Sequence, residues 1–291
     1  MTAPNTIIQG DAIEKMQALA SRSVQAVIAD PPYYNVLKED WDTQWEQVSD
    51  YFEWSHIWVS QCIRILRDDG LCFICGQLGK KEHGFLHLMS QLCLKHQFHD
   101  LIIWDRVVGY NERRDSLTPA YEMILVLRKS DSVKFRKDRV RIPYDAKIIE
   151  MYLRDKRYKD RGARFKHLSE GKYATNILSV PSLKGTSKEK CGHPSQKPAD
   201  LIKKLVLMST DKGDIVLDPF LGSGTTAVVA EETGRSWIGI EKDPNYCQIA
   251  KKRIAELRDI FTNSKHSEMQ IKKAVSKETM PFHRGFAFMN S

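Results

Sequence analysis

The segment Val24-Gln25-Ala26-Val27-Ile28-Ala29 is too apolar to lie half-exposed, and it predicts a strand buried on both faces, as in a parallel sheet. It runs into Asp30-Pro31-Pro32-Tyr33. Two prolines can neither donate to a sheet ladder nor continue a helix, and each pushes the residue before it out of the helical region. The strand must therefore stop and leave as a stiff extended loop. An acceptor-only carboxylate, a rigid backbone carbonyl and an aromatic face then stand at the carboxyl end of a strand, where open α/β sheets bind ligands. A solvent-facing strand end with a tight turn has the same local sequence, so the rest of the chain has to decide.

The flanking pattern fixes the class as α/β. Residues 7–11 predict a short strand and turn, and 12–20 a helix with Ile13, Met16 and Leu19 on one face. Residues 51–66 predict a helix, closed by the turn Arg67-Asp68-Asp69-Gly70, and 71–75 a second buried strand. A helix over 83–96 and strands over 98–104 and 121–127 follow, then a helix over 199–210, strands over 214–218 and 236–240, and a helix over 245–257. Residues 34–50 are polar, carry Trp41 and Trp45, and read as a mobile active-site loop; tryptophans packing a lid are the plainer view. Beyond Thr262 no periodicity is evident, and a partly disordered tail is expected.

With 291 residues the chain can bury a full core. No apolar run is long enough to span a membrane, and the first residues lack a secretory signal, so a cytoplasmic protein is expected. The six cysteines lie mostly in apolar runs, as reduced thiols do. Cys72 and Cys75 form a Cys-x-x-Cys, but residues three apart on a strand face opposite sides, and Cys191 with His193 is a weak substitute for a second pair. They read as core cysteines, and no metal is expected.

The net charge of +8 is concentrated in one place. Residues 105–176 carry 19 Lys/Arg against 11 Asp/Glu, and the other 219 residues balance at 26 of each sign. Such a basic insert between neutral flanks reads as polyanion-binding. Within it Arg136 and Arg139 precede a helix expected from Asp145 that carries Arg154, Lys156, Arg157, Lys159, Arg161 and Arg164, interleaved with Tyr144, Tyr152 and Tyr158. Arginine pairs with phosphates and reads guanine edges, so Arg136, Arg139, Arg154, Arg157, Arg161 and Arg164 are the candidate nucleic-acid contacts. A solvated, internally paired helix is the bland alternative, with Asp155 and Asp160 as local partners.

A second strand end lies at Asp218, followed by Pro219-Phe220-Leu221-Gly222-Ser223-Gly224-Thr225-Thr226, a small apolar helix start, and a strand ending at Glu241. Strand, glycine turn, helix, strand and terminal acid outline a nucleotide-binding βαβ unit, with Glu241 placed to accept from ribose hydroxyls. The third glycine of the dinucleotide fingerprint is missing, as is the Gly-Lys-Ser/Thr ending of a P-loop, which argues against NAD and ATP. A glycine turn serving helix–strand packing alone remains the alternative.

Asp218 to Thr226 resembles the cofactor loop, and Asp30-Pro31-Pro32-Tyr33 the catalytic loop, of S-adenosylmethionine-dependent DNA amino-methyltransferases, the adenine N6/cytosine N4 family. The catalytic loop comes first, the basic segment lies between, and His193-Pro194-Ser195-Gln196-Lys197-Pro198 precedes the cofactor strand, an order similar to the β-type members, over residues 7–258. The resemblance implies a Rossmann-like methyltransferase fold with a mixed, mostly parallel sheet. Its catalytic half would span 1–127, a basic target-recognition insert 128–180, the cofactor-binding half 181–261 and a tail 262–291. It also implies that Phe220, Gly222, Gly224 and Thr225 line the methionine part of S-adenosylmethionine with Ser223 in the same loop and Asp218 nearby. Glu241 would hold the ribose, Lys197 and Pro198 would lie near the cofactor carboxylate, and Asp11, after Gly10, would lie near the adenine.

By the same resemblance Asp30, Pro31, Pro32 and Tyr33 are the catalytic residues, with Asp30 also against the cofactor. Asp30 and the Pro31 carbonyl would accept both hydrogens of a base amino group and free its lone pair for methyl transfer, which then needs chiefly alignment. The base must be flipped from the duplex, with Tyr33 as the expected stacking face. Asp at the first position leans toward adenine in this family; cytosine N4 stays open. So do an RNA base, a protein glutamine (whose enzymes carry Asn where Asp30 stands), and a non-catalytic DNA-binding protein on this scaffold. Double-stranded DNA is the expected partner, with a homodimer and a cognate restriction endonuclease left open.

Overall fold

Two prolines after Ala29 end one strand, and the acid and proline after Leu217 end another; the sheet places these two strands side by side. A computed structural model of the chain describes residues 2–278 other than 37–38, 79–83, 110–111, 113, 156 and 158, with side chains described to Asn263. Its strands are β1 (Thr6–Gln9), β2 (Val24–Ala29), β3 (Leu66–Gly76), β4 (Gln97–Asp105), β5 (Tyr121–Arg128), β6 (Ile177–Ser179), β7 (Ile215–Asp218) and β8 (Ser236–Glu241). They form one sheet in the order β1-β8-β7-β2-β3-β5-β4-β6. Among these strands only β5 runs against its neighbours, pairing antiparallel with both β3 and β4. The sheet is mixed and mostly parallel, the α/β arrangement expected.

The helices are α1 (Ala12–Gln17), α2 (Val48–Ile65), α3 (Gly84–Lys95), α4 (Ala146–Arg154), α5 (Arg161–Ser169), α6 (Ala199–Ser209), α7 (Thr225–Glu232) and α8 (Pro244–Glu278). Met16, Trp58, Val59 and Leu88 of α1 to α3 pack on one face with Val27 and Ala29 of β2. Leu201, Leu205 and Val229 of α6 and α7 pack on the other with Ile28 of β2 and Val216 of β7. All six residues of β2 are buried, because it lies under helices on both faces. Cys72 and Cys75 fall in these two different core layers, as the strand's two-residue period requires.

From β2 the chain crosses through α2 to β3 on one side, and from β7 through α7 to β8 on the other. The β2–β7 border is therefore where the connections diverge, and divergence opens a crevice at the carboxyl ends of the strands. Register brings Ala26 opposite Val216 and Val27 opposite Leu217, so Asp30 and Asp218 leave the sheet at neighbouring positions.

Three local expectations change. Arg67-Asp68-Asp69-Gly70 does not close α2 as a turn before the strand; β3 begins at Leu66, and these residues loop out where the pairing jumps from Val24–Leu66 to Ala26–Leu71. The single basic helix expected from Asp145 is two, α4 and α5, each started by an aspartate: Asp145 accepts from the Lys147 N–H, and Asp160 from the Ala163 N–H. The expected tail is helical as far as Glu278, since nothing between Asn245 and Thr279 is a proline or glycine. His83, Lys156, Tyr158 and residues 279–291 lie outside the described residues. No helix among the described residues is long and apolar enough to cross a membrane.

Trp58 of α2 is fully buried, with its ring centroid 5.1 Å from that of Phe220 in the loop after β7. It couples the core of the first half to the loop of the second. Trp58→Ala should lower the unfolding free energy by about 3–5 kcal/mol, measured by urea denaturation.

Candidate active site

The crevice at the β2–β7 border is a cavity of about 490 Å³, lined from both halves of the chain by Asp30 to Tyr33, Asp218 to Ser223, Glu241 and Lys197, among others. Its volume lies within the roughly 300–1,000 Å³ usual for small-ligand sites.

On the β7 side, the turn after Asp218 is shaped by Gly222 at φ 51° and Gly224 at φ 82°, both in the left-handed region that side chains disfavour. A Cβ on Gly222 would lie 3.0 Å from Nε2 of His193, and one on Gly224 would lie 2.8 Å from the Ala250 Cβ. Gly222 thus keeps the cavity wall open, whereas Gly224 starts α7 and lets α8 approach. The Arg253 guanidinium of α8 donates to the Ser223 carbonyl at 2.8 Å and to the hydroxyls of Ser223 and Thr225 at 3.1 Å, fixing the loop from behind. Glu241 ends β8; its carboxylate accepts from the N–H of Gly222 at 2.7 Å and of Asp243 at 2.8 Å, and burial raises its pKa. Burial pushes the Asp218 carboxyl up to about 7, against the lowering effect of hydrogen bonds from Thr226 and the Phe220 N–H.

An open glycine wall with one buried and one half-buried acid behind it, Asp218 and Glu241, suits an uncharged or cationic ligand carrying hydroxyls, and a sulfonium nucleoside meets that description. Asp11 also lines the cavity, and its side chain caps α1 by accepting from the Ile13 and Glu14 N–H groups. Phe220, Gly222, Ser223, Thr225 and Glu241 line it as well. Pro198 does not: it sits buried at the start of α6.

On the β2 side the acid is not alone. Lys197 Nζ donates to both carboxylate oxygens of Asp30 at 2.7 Å, and the Tyr33 hydroxyl donates to Oδ1 at 2.6 Å. Lys197 is also 3.4 Å from Oε2 of Glu122, a carboxylate only 5% exposed on β5. Gln77 donates to Glu122 Oε1 at 2.8 Å, and Arg106 lies 3.5 Å from the same oxygen. Burial alone would lower the lysine pKa, but the charges of Asp30 and Glu122 hold it above its usual value, so the ammonium stays protonated. The Tyr33 hydroxyl is raised by burial and by the same two carboxylates, and it stays neutral.

Two of the expected site residues have protein partners in this arrangement. Lys197, expected near the cofactor carboxylate, lines the cavity and is bonded to Asp30. Tyr33, the expected stacking face, also lines the cavity; it is 6% exposed and its hydroxyl turns inward to Asp30 and Glu122. Its backbone N–H is taken by the side chain of Asp42, which also accepts from Val36 at 2.8 Å. Asp42 is fully buried and ties the Asp30 to Tyr33 loop to the segment carrying Trp41, which lines the cavity, while Trp45 packs 5.0 Å from Tyr51 and 4.9 Å from Trp54.

Glu122, Asp42 and His193 are absent from the candidates drawn from the sequence. His193 lies 4.3 Å from the Tyr246 ring, and burial lowers its pKa. Glu122 left a signal as a lone acid in the otherwise apolar run 121–127, and His193 as the first residue of the motif that ends at Pro198.

The basic segment divides in two. Arg136 and Arg139 both pair with Asp211, Arg139 also donates to the Thr210 carbonyl, and Lys134 pairs with Asp214. These partners precede β7, at the amino end of the sheet and opposite the cavity mouth. Arg136 and Arg139 are thus held in ion pairs with Asp211 while remaining about two-fifths exposed. Arg154, Arg157, Arg161 and Arg164 lie on or between α4 and α5, where Arg154 and Arg157 are more than four-fifths exposed and Arg164 lies 5.0 Å over the Tyr152 ring. Among the described residues, none from Ser55 to Gly192 lines the cavity.

The chain resembles known proteins over most of its length. A family model described as DNA methylase matches residues 24–252. Type II methyltransferase M.HpaI of Haemophilus parainfluenzae is 31% identical over 253 residues, covering 85% of this chain and 73% of that protein. DNA adenine methyltransferase YhdJ of Escherichia coli K12 is 29% identical, covering 86% and 82%. Among solved structures, the cytosine-N4-specific PvuII DNA methyltransferase superposes with a TM-score of 0.65 at 18% identity, over 90% of this chain and 93% of that one. An M1.HpyAVI–SAM complex superposes with 0.57 at 24% identity, over 86% and 98%.

The Asp218 carboxyl titrates near 7 in the fold and near 3.8 when unfolded, so the folded state holds the extra proton between those values. Its contribution to stability is full below the unfolded value and is lost as pH rises through about 7. Asp218→Asn should flatten the fall in melting temperature between pH 5 and 8, read by scanning calorimetry; an unchanged slope would assign that fall to other groups.

Proposed function

The chain belongs to the N6/N4 DNA methylase family, and from that premise we propose that it is a site-specific DNA adenine methyltransferase, moving a methyl group from S-adenosylmethionine to the exocyclic amino group of a flipped adenine. The observation that carries the reading is the adjacency of two acid-ended strands: β2 delivers Asp30 and β7 delivers the Asp218 loop into one cavity.

When bound, the cofactor supplies a methyl group on a positively charged sulfur. Gly222, Phe220 and Ser223 would line its methionine part, and Glu241 is placed for ribose hydroxyls once its bonds to the Gly222 and Asp243 N–H groups are shared. The M1.HpyAVI–SAM complex supports that cofactor by likeness of fold.

An exocyclic amino nitrogen is a poor nucleophile because its lone pair is delocalised into the ring. Asp30 and the Pro31 carbonyl draw on its two hydrogens and turn the lone pair outward, with the prolines limiting how far either acceptor can move. Held by the Asp218 loop and Glu241, the cofactor would supply its methyl group to that lone pair, with the neutral thioether sulfur as the leaving group. The surplus proton then leaves the nitrogen, with Asp30 as the nearest acceptor. Alignment supplies most of the rate.

The choice of adenine rests on Asp as the first residue of the catalytic motif and on the YhdJ relative, which is named for adenine. The PvuII enzyme is cytosine-N4-specific, and cytosine N4 is the competing product. Expression in a methylation-free host, with mass spectrometry of digested DNA, separates N6-methyladenine from N4-methylcytosine; absence of both would reject the proposal. Asp30→Ala should lower transfer by several orders of magnitude while calorimetry still detects cofactor binding.

We assign double-stranded DNA to the face that carries α4 and α5, where Arg154, Arg157, Arg161 and Arg164 supply cations for phosphates. Reversing Arg154 and Arg157 to glutamate should weaken DNA binding and flatten its dependence on log salt by about 0.9 per lost phosphate contact. An unaltered slope would remove these helices from the DNA face.

A further inference from the structure

Lys197 has two carboxylates to choose between. It now bridges both oxygens of Asp30 at 2.7 Å, while Oε2 of Glu122 waits at 3.4 Å. An ammonium on both oxygens of Asp30 compensates the charge that must draw on a base amino group, and it occupies the lone pairs that group would use.

The two sides of the lysine differ in rigidity. Glu122 stands on β5, which is paired along its length to β3 and β4, and its other oxygen is held by Gln77 and Arg106. Lys197 carries its charge on a four-carbon stem with three rotatable donors. A shift of the ammonium from one carboxylate to the other keeps the charge paired and avoids the cost of an isolated buried cation.

We propose that Glu122 is a positioning residue for methyl transfer: it takes over Lys197 when a base amino group enters, which frees Asp30 to accept that group's hydrogens. Glu122 acts on the reacting nitrogen only through the lysine. This rests on Asp30 being the acceptor of the amino group in methyl transfer.

The test compares single-turnover transfer to a cognate duplex, and cofactor affinity by calorimetry, in the wild type, Glu122→Gln, Glu122→Asp, Lys197→Gln and the Glu122→Gln/Lys197→Gln double variant. Glu122→Gln should slow transfer about a hundredfold, the order of loss that misplacement of a reacting group brings. Cofactor affinity should stay within about twofold, and the double variant should be no slower than Lys197→Gln, because residues acting as a unit are not additive. Glu122→Asp, which keeps the charge, should recover part of the rate.

A Glu122→Gln rate within about threefold of the wild type, cofactor affinity falling in step with rate, or additive losses would each overturn the proposal. If Glu122→Gln does not fold, the structure of the wild type with a duplex and a non-reactive cofactor analogue decides. Lys197 should then be bonded to Glu122; a lysine still bridging both Asp30 oxygens beside a bound amino group overturns the idea. A wild type that methylates no DNA fails the parent reading and this one together, whereas an active wild type with an insensitive Glu122→Gln fails this one alone.

Discussion

The contact on which the rest of the site depends is the ion pair between Lys197 and Asp30. Burying the lysine against a half-buried acid is costly, and their attraction offsets that cost only with good geometry and further hydrogen bonds. The fold supplies both: two 2.7 Å contacts to one carboxylate, the Tyr33 hydroxyl on the same acid, and Glu122 behind the lysine. Asp30 comes from β2, Lys197 from the segment before α6 and Glu122 from β5, so the pair also joins three regions that are distant in the chain. An acid held in this way is fixed in position before any ligand arrives.

The cofactor side works by a different means. Its acids accept hydrogen bonds from backbone N–H groups, with Thr226 also on Asp218, and burial raises both Asp218 and Glu241. One cavity therefore contains a salt-bridged carboxylate, Asp30, and a carboxyl raised by burial to about 7, Asp218. Two environments give the same functional group two electrostatic characters.

Much of the framework is legible in the order of residues alone. The apolar runs mark β2, β3, β5 and β7 because strands covered on both faces must be apolar throughout, and the proline and glycine pairs mark where they end. Composition locates the basic insert, but cannot divide it. Arg136 and Arg139 look like Arg154 and Arg157 in sequence, yet the first two are held by Asp211, some 70 residues further along, and the others stand in solvent. The broken helix between α4 and α5 turns on Asp160 capping a new start, where capping and helix interior compete within a polar segment.

Local chemistry by itself determined the α/β class, the two strand ends and Asp30 as the leading acid, because backbone restriction by proline and glycine and the period of apolar residues act over a few residues. The tertiary structure decided what that acid meets. Lys197 turned out to pair with Asp30, Tyr33 to face inward, and Glu122 to complete the cluster, and all three depend on which strands lie side by side and on how far burial strengthens a charge. Asp-Pro-Pro-Tyr could be read as a strand end that binds. Only the packing of β5 and the chain before α6 against it made it one carboxylate among several, held by a lysine with a second place to go.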